Sequence, residues 1–165
     1  MMGQRILDPH AVESAEPETV GLGLLPVTTT FLTTKRTVRT AAKVLASSGP
    51  FALAAGEVIA AYEIHMGTTV RGGEPLFELR DGDGTVQEGC IVGDGLIMGS
   101  YLHGLFENRC LRRSLVRWLA ERRGLELQSE DEPVPSRESE YDRLADCLRR
   151  HLDLPAIYKM IGLRR

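Results

Sequence analysis

From Val58 to His65 the chain reads Val-Ile-Ala-Ala-Tyr-Glu-Ile-His, and this run constrains the fold more than any other stretch. It has no glycine or proline, and its residue types favour an extended backbone. Residues two apart share a face of a strand. Val58, Ala60, Tyr62 and Ile64 therefore share one face, and Ile59, Ala61, Glu63 and His65 the other. Glu63 and His65 point the same way at the end of an apolar stripe. They read either as the polar wall of a pocket or as a partly exposed cross-strand polar pair.

A strand with one apolar face needs a sheet, and the rest of the first two thirds of the chain supplies partners. Val27 to Leu32, Thr37 to Leu45, Leu76 to Leu79, Thr85 to Val86 and Leu96 to Leu102 read as strands. Turns at Gly21 to Pro26, Ser47 to Pro50 and Asp81 to Gly84 separate them, the last resembling a hairpin connection. Met1 to Ile6 reads as the last turn of a helix that Asp8-Pro9 stops, so the chain is expected to start inside an element. Beyond Gly104 the period changes. Leu111, Leu115, Trp118 and Leu119 mark one face of a helix from about Glu107 to Arg123.

A Pro-containing linker, Glu132 to Ser136, leads to a helix with Tyr141, Leu144, Ala145, Leu148 and Leu152 as its apolar stripe. Asp153-Leu154-Pro155 breaks it, and a short helix with Ile157, Tyr158 and Ile161 ends at Gly162. Strands thus give way to helices along the chain, and length and composition suit one domain over residues 1–165.

Charge and composition exclude whole classes of partner. A net charge of -3 gives no global attraction to nucleic acid or to an anionic membrane. Arg109, Arg112, Arg113, Arg117, Arg122 and Arg123 make one helix face basic, which reads as a solvated face balanced by the acidic stretch Glu126 to Glu132. No apolar run approaches the roughly 20 residues needed to span a bilayer, and residues 1–9 lack a signal pattern, so a cytoplasmic location is expected. Cys90, Cys110 and Cys147 are odd in number and widely spaced, without the CxxC pairs of a zinc or redox site. They are expected to be reduced and structural, with no metal.

His103 is the leading candidate for chemistry. It directly follows a strand, precedes Gly104 and lies just before a helix start, where α/β folds gather reactive groups. A histidine there can act as base toward a thiol and later as acid toward a leaving amine, or it can simply be hydrogen-bonded within a loop. No cysteine fits the partner role. A nucleophile needs a sharp strand-to-helix elbow with small neighbours, whereas Ile91-Val92 follow Cys90, and Cys110 and Cys147 fall inside amphipathic helices. The glycine clusters lack the Lys-Ser/Thr ending of a phosphate loop.

Four landmarks, in order, resemble the glutaminase domain of the cobyric acid synthase family: Gly21-Leu22-Gly23-Leu24-Leu25-Pro26 with Thr30-Phe31, Tyr62-Glu63-Ile64-His65-Met66-Gly67, Tyr101-Leu102-His103-Gly104-Leu105-Phe106, and Tyr141-Asp142-Arg143-Leu144-Ala145 leading to His151-Leu152-Asp153. The resemblance implies an α/β fold, the C-terminal part of a class I, flavodoxin-like glutamine amidotransferase domain with antiparallel strands and C-terminal helices, and His103 as the base toward a cysteine that attacks glutamine. Glu63 and His65 are the candidate substrate-binding residues. Where class I enzymes have a glutamate two residues after the histidine, this chain has Leu105, and related corrinoid amidotransferases resemble dyads.

The family's Gly-x-Cys-Gly-Gly elbow would lie before Met1, so the chain by itself is expected to be inactive. The family's glutaminase feeds ammonia to a synthetase domain that uses ATP and Mg to amidate adenosylcobyrinic acid a,c-diamide in cobalamin biosynthesis, and no cofactor is expected here. The partners implied are glutamine, that synthetase domain and, through it, the corrinoid. A cobyrinic acid a,c-diamide synthase-like glutaminase and a non-catalytic binding or regulatory module on the same scaffold are the alternatives. If the elbow extends a helix back from Met1, then Met1 should lie near His103, and His65 should open onto the same cleft.

Overall fold

The computed structural model describes residues 1–127 and 136–163. The chain divides into two compact units, Met1–Leu127 and Gln128–Arg165. The first unit is built around two long antiparallel strands, β3 (Val27–Val44) and β4 (Val58–Arg71). The sequence splits β3 into two strands, but the structure has one, with a bulge that breaks the register between Phe31 and Arg36. Such a bulge bends the strand without ending it.

The chain start departs from expectation. It is extended, with β1 at Arg5–Leu7, not helical. β1 pairs antiparallel with β2 (Glu18–Val20) and parallel with β3 at Thr28–Thr30. The reason is tertiary: the backbone of residues 1–4 bonds to the Gly21–Val27 segment, through Leu22 N to Met1 O at 3.0 Å, Leu25 N to Met2 O at 3.0 Å and Gln4 N to Val27 O at 2.8 Å. Pairing over some twenty residues overrides a local helical signal that no cap supports. The Gly21 position has to be glycine for this, since a Cβ there would run into the Gly3 carbonyl oxygen.

β5 (Phe77–Asp81) and β6 (Gly84–Glu88) form the hairpin expected at the Asp81–Gly84 turn, and β5 extends the sheet along the C-terminal end of β3. β7 (Cys90–Val92) and β8 (Ile97–Gly99) make a separate two-stranded sheet. Leu96 to Leu102 is not one buried strand. It breaks at Ser100-Tyr101, and β9 is only Leu102–His103, paired with Tyr62 and Glu63 of β4. The seven-stranded sheet is thus antiparallel apart from the β1–β3 pair.

The inward faces of β3, β4 and β5 carry Ala42, Ile59, Phe77 and Leu79, all fully buried. A 3-10 helix at Gly49–Ala54 closes this core and packs on α1 (Arg109–Arg123), with Phe51 against Phe77 and Phe106. On α1 the core takes Leu111 and Ser114, whereas Leu119, expected on the apolar face, is 47% exposed. The basic face is tied up locally: Arg112 donates to the Phe106 carbonyl and Arg122 lies over Trp118.

In the second unit, α2 (Arg137–His151) and α3 (Leu154–Met160) match the two expected helices, capped by Ser136 and Asp153 side chains accepting from Ser139 and Ala156 N–H groups. Of the expected linker and acidic stretch, residues 128–135 lie outside the described residues. No helix among those described is long and apolar enough to cross a membrane.

One buried carboxylate holds the turn that leads into β9. Glu88, 8% exposed at the end of β6, accepts from Tyr101 N–H at 2.6 Å and from the Ser100 hydroxyl at 2.8 Å. Burial pushes its carboxyl above the ordinary range, although these two donors pull the other way. An acid whose folded-state value is raised binds a proton in the fold at pH values where the unfolded chain has lost it. Its contribution to stability is therefore full below the ordinary carboxylate range and is lost as pH rises through the folded value.

Two outcomes follow for stability, both read by chemical or thermal unfolding. Glu88→Gln keeps an acceptor for Tyr101 N–H, and its melting temperature should gain on the parent chain as pH rises from about 4 to 8; a constant difference would contradict the raised carboxyl. Phe77→Ala, which empties the centre of the core, should cost about 3–5 kcal/mol.

Candidate functional site

His103 owes its position to three tethers. β9 binds it to β4 through the Tyr62 register, and Gly104 next to it takes φ 78°, a left-handed turn that glycine adopts without penalty. Asn108, at the start of α1, then returns to β4: its amide donates to the Ala60 carbonyl at 2.9 Å and accepts from Ala60 N–H at 3.1 Å. The loop Gly104–Asn108 is held at both ends against the same strand. His103 itself is exposed. Its place at a strand end just before a helix is the one the sequence predicts.

Glu63 and His65 stand on the other face of β4. Cross-strand partners point to the same side of a sheet, so His103 shares the face of Tyr62, while Glu63 and Leu102 share the opposite one. The alternation read from the sequence holds, and it separates the two histidines. The expectation of a cleft shared by His65 and His103 is therefore corrected: register puts two strand-end histidines on opposite sides of one sheet.

On the inner side, Glu63 and His65 border a cavity of about 410 Å³ together with Met1, Thr29, Thr69, Glu88 and Tyr101, among others. Met1 lines this cavity and His103 does not, so the expectation that Met1 lies near His103 is corrected as well: the chain start borders the inner side of the sheet, and His103 stands on the outer one. The polar groups on this wall are engaged with one another. His65 Nε2 is 2.9 Å from Glu63 Oε1, and His65 Nδ1 is 2.6 Å from the Gly67 carbonyl oxygen. Arg36 Nε donates to Glu63 Oε2 at 2.7 Å.

Burial by itself pushes the Glu63 carboxyl up, but the bonds and charge from Arg36, and then His65, outweigh it and hold the group below the usual range. Arg36 reaches Glu63 because the β3 bulge places it opposite His65. The His65 ring stacks on Tyr101 with centroids 4.8 Å apart, and the Tyr101 hydroxyl meets those of Thr69 and Thr29.

Sequence reasoning missed Arg36, Glu88, Tyr101 as a packed group, and Asn108. Arg36 and Glu88 meet their partners only through pairings 27 and 12 or 13 residues apart, which no local pattern encodes. Asn108 carried a readable signal, being a helix-start residue type directly before an apolar periodic run.

None of the three cysteines sits at a strand-to-helix elbow: Cys90 is buried in β7, where burial pushes its thiol up; Cys110 is half-buried in α1; and Cys147 is exposed on the helix α2, its Sγ 3.7 Å from His151 Nδ1, a nitrogen that also lies 2.7 Å from the Cys147 carbonyl oxygen. No group of three or more His, Cys, Asp or Glu side chains suited to a metal occurs among the described residues.

Comparison with known proteins adds what geometry alone does not. Residues 1–110 match the model of the CobB/CobQ-like glutamine amidotransferase domain, a stretch that includes both histidine motifs. The chain is 39% identical to a cobyric acid synthase of Sorangium cellulosum over 180 residues, covering 100% of the chain and 35% of that protein. It is 40% identical to a cobyric acid synthase of Pelotomaculum thermopropionicum, covering 99% of the chain and 33% of that protein. Against a probable cobyric acid synthase of Methanococcoides burtonii the identity is 42%, with 99% of the chain and 31% of the relative covered. The chain thus spans about a third of the length of these relatives. With the matched family model covering β1 through the first two residues of α1, the chain belongs to the CobB/CobQ-like glutamine amidotransferase domain family.

Proposed function

We propose that this chain is the C-terminal part of the glutaminase domain of a cobyric acid synthase and supplies the histidine base, His103, for glutamine hydrolysis. The observation that carries the reading is the placement of His103: exposed at the end of β9, tethered to β4, and followed by a left-handed glycine and a helix. A base must present its ring to a thiol brought alongside while its backbone stays fixed, and this loop meets both demands.

His103 would take the proton from a cysteine thiol as its sulfur attacks the side-chain amide carbon of glutamine. It would return that proton to the departing ammonia, and water would then release glutamate from the thioester. The thiol would come from outside these 165 residues, since Cys90 is buried in a strand and Cys110 and Cys147 lie within helices, none of them at a strand-to-helix elbow. Ammonia would pass to a synthetase domain that uses ATP and Mg to amidate adenosylcobyrinic acid a,c-diamide.

Glu63 and His65 enter the proposal as the wall of the inner cavity. Their bonds to Arg36, Gly67 and each other favour a shaping role over donation to glutamine.

The test measures ammonia release from glutamine. The 165-residue chain alone should give none above background, and turnover that survives replacement of all three cysteines would overturn the assignment. In the full-length protein that carries this segment, His103→Ala should lose most of the glutamine-dependent amidation while ammonia-dependent amidation persists, because free ammonia bypasses the thioester. If both fall together, His103 is structural. A full-length protein with no glutamine hydrolysis at all would favour a non-catalytic module.

A further inference from the structure

We propose that His65 is a positioning residue for His103, acting through Tyr101; the proposal rests on the reading of His103 as the base. β9 is two residues long, too short to fix its own register, so something outside it must hold the segment that carries His103. Tyr101, two residues before His103, is held at four points. Its N–H donates to Glu88 at 2.6 Å, and its carbonyl accepts from Ile64 N–H at 3.2 Å. Its hydroxyl meets Thr69 and Thr29 on the two long strands, and its ring lies on His65 with the planes 23° apart.

The stack joins Tyr101 to a ring that is itself immobilised. His65 is gripped at both ring nitrogens, by Glu63 and by the Gly67 carbonyl, and Glu63 in turn by Arg36 across the β3 bulge. With both nitrogens engaged, His65 is poorly placed to hold a ligand but well placed to be a rigid platform. The platform and His103 lie on opposite faces of the sheet, so the effect passes through the backbone of residues 101–103. A displacement of about 1 Å at a reacting group can cost about a hundredfold in rate, which is the sensitivity such a device needs.

The experiment uses the full-length amidotransferase that carries this segment, with kcat and KM for glutamine hydrolysis measured for His65→Ala, Tyr101→Leu, the double variant and His103→Ala. His65→Ala should lower kcat by about 10- to 100-fold with KM changed by less than about twofold. The double variant should be no slower than the slower single variant, to within about twofold, because the two side chains act along one path. Losses that multiply, or a raised KM at unchanged kcat, would overturn the proposal; the second would mean that His65 touches glutamine. Unchanged kcat in His65→Ala with a dead His103→Ala defeats the positioning role alone, whereas an active His103→Ala defeats the base reading on which it stands. Should His65→Ala not fold, His65→Gln, which keeps a planar donor toward Glu63, carries the same comparison.

Discussion

The pairing of β3 with β4 is the constraint on which the rest of the first unit depends. Each strand also joins the remaining sheet: β3 takes β1 and β5 along its other edge, and β4 takes β9. Because side chains alternate along a strand, this pairing sends Ile59 and Ala61 into the core and Glu63, His65, Thr69 and Arg71 to the cavity, and the β4–β9 register then turns His103 away from both. The bulge between Phe31 and Arg36 is the single interruption, and it delivers the guanidinium that neutralises Glu63.

Polar groups buried beside an apolar core cost stability unless they are satisfied, and on this side of the sheet they are satisfied in linked sets, whereas the Ser114 hydroxyl on α1 is buried without a hydrogen-bond partner. Arg36, Glu63, His65 and the Gly67 carbonyl form one; Glu88, Ser100 and Tyr101 form another, and the Thr29–Thr69–Tyr101 hydroxyls a third. Tyr101 is common to the last two and stacks on the first. That convergence lies immediately before His103, the residue on which the proposed chemistry depends. The buried Glu88 carboxyl bonds directly to the residues that lead into β9, and Glu63 acts on them only through the ring of His65.

Much of this was legible from local pattern. The alternation from Val58 to His65, the hairpin at Asp81–Gly84, the change to helical period after Gly104 and the strand-end position of His103 are each encoded within a few residues, and each appears in the structure. What was not legible depends on pairing at a distance. Met1 to Ile6 looks helical until the Gly21–Val27 segment takes its hydrogen bonds, and β3 looks like two strands until a bulge joins them. The opposite facing of His65 and His103 required knowing that Tyr62, and not Glu63, is the partner of His103. A one-residue shift would have put the two histidines on the same side.

The central claim is that His103 serves as base toward a glutamine-attacking thiol, and the most direct measurement is a crystal structure of the full-length protein trapped with an electrophilic glutamine analogue on its cysteine. The account predicts the His103 imidazole within about 3 to 4 Å of the trapped sulfur, on the outer face of β4 beside Tyr62. A sulfur found instead in the inner cavity beside His65, with His103 turned to solvent, would contradict it.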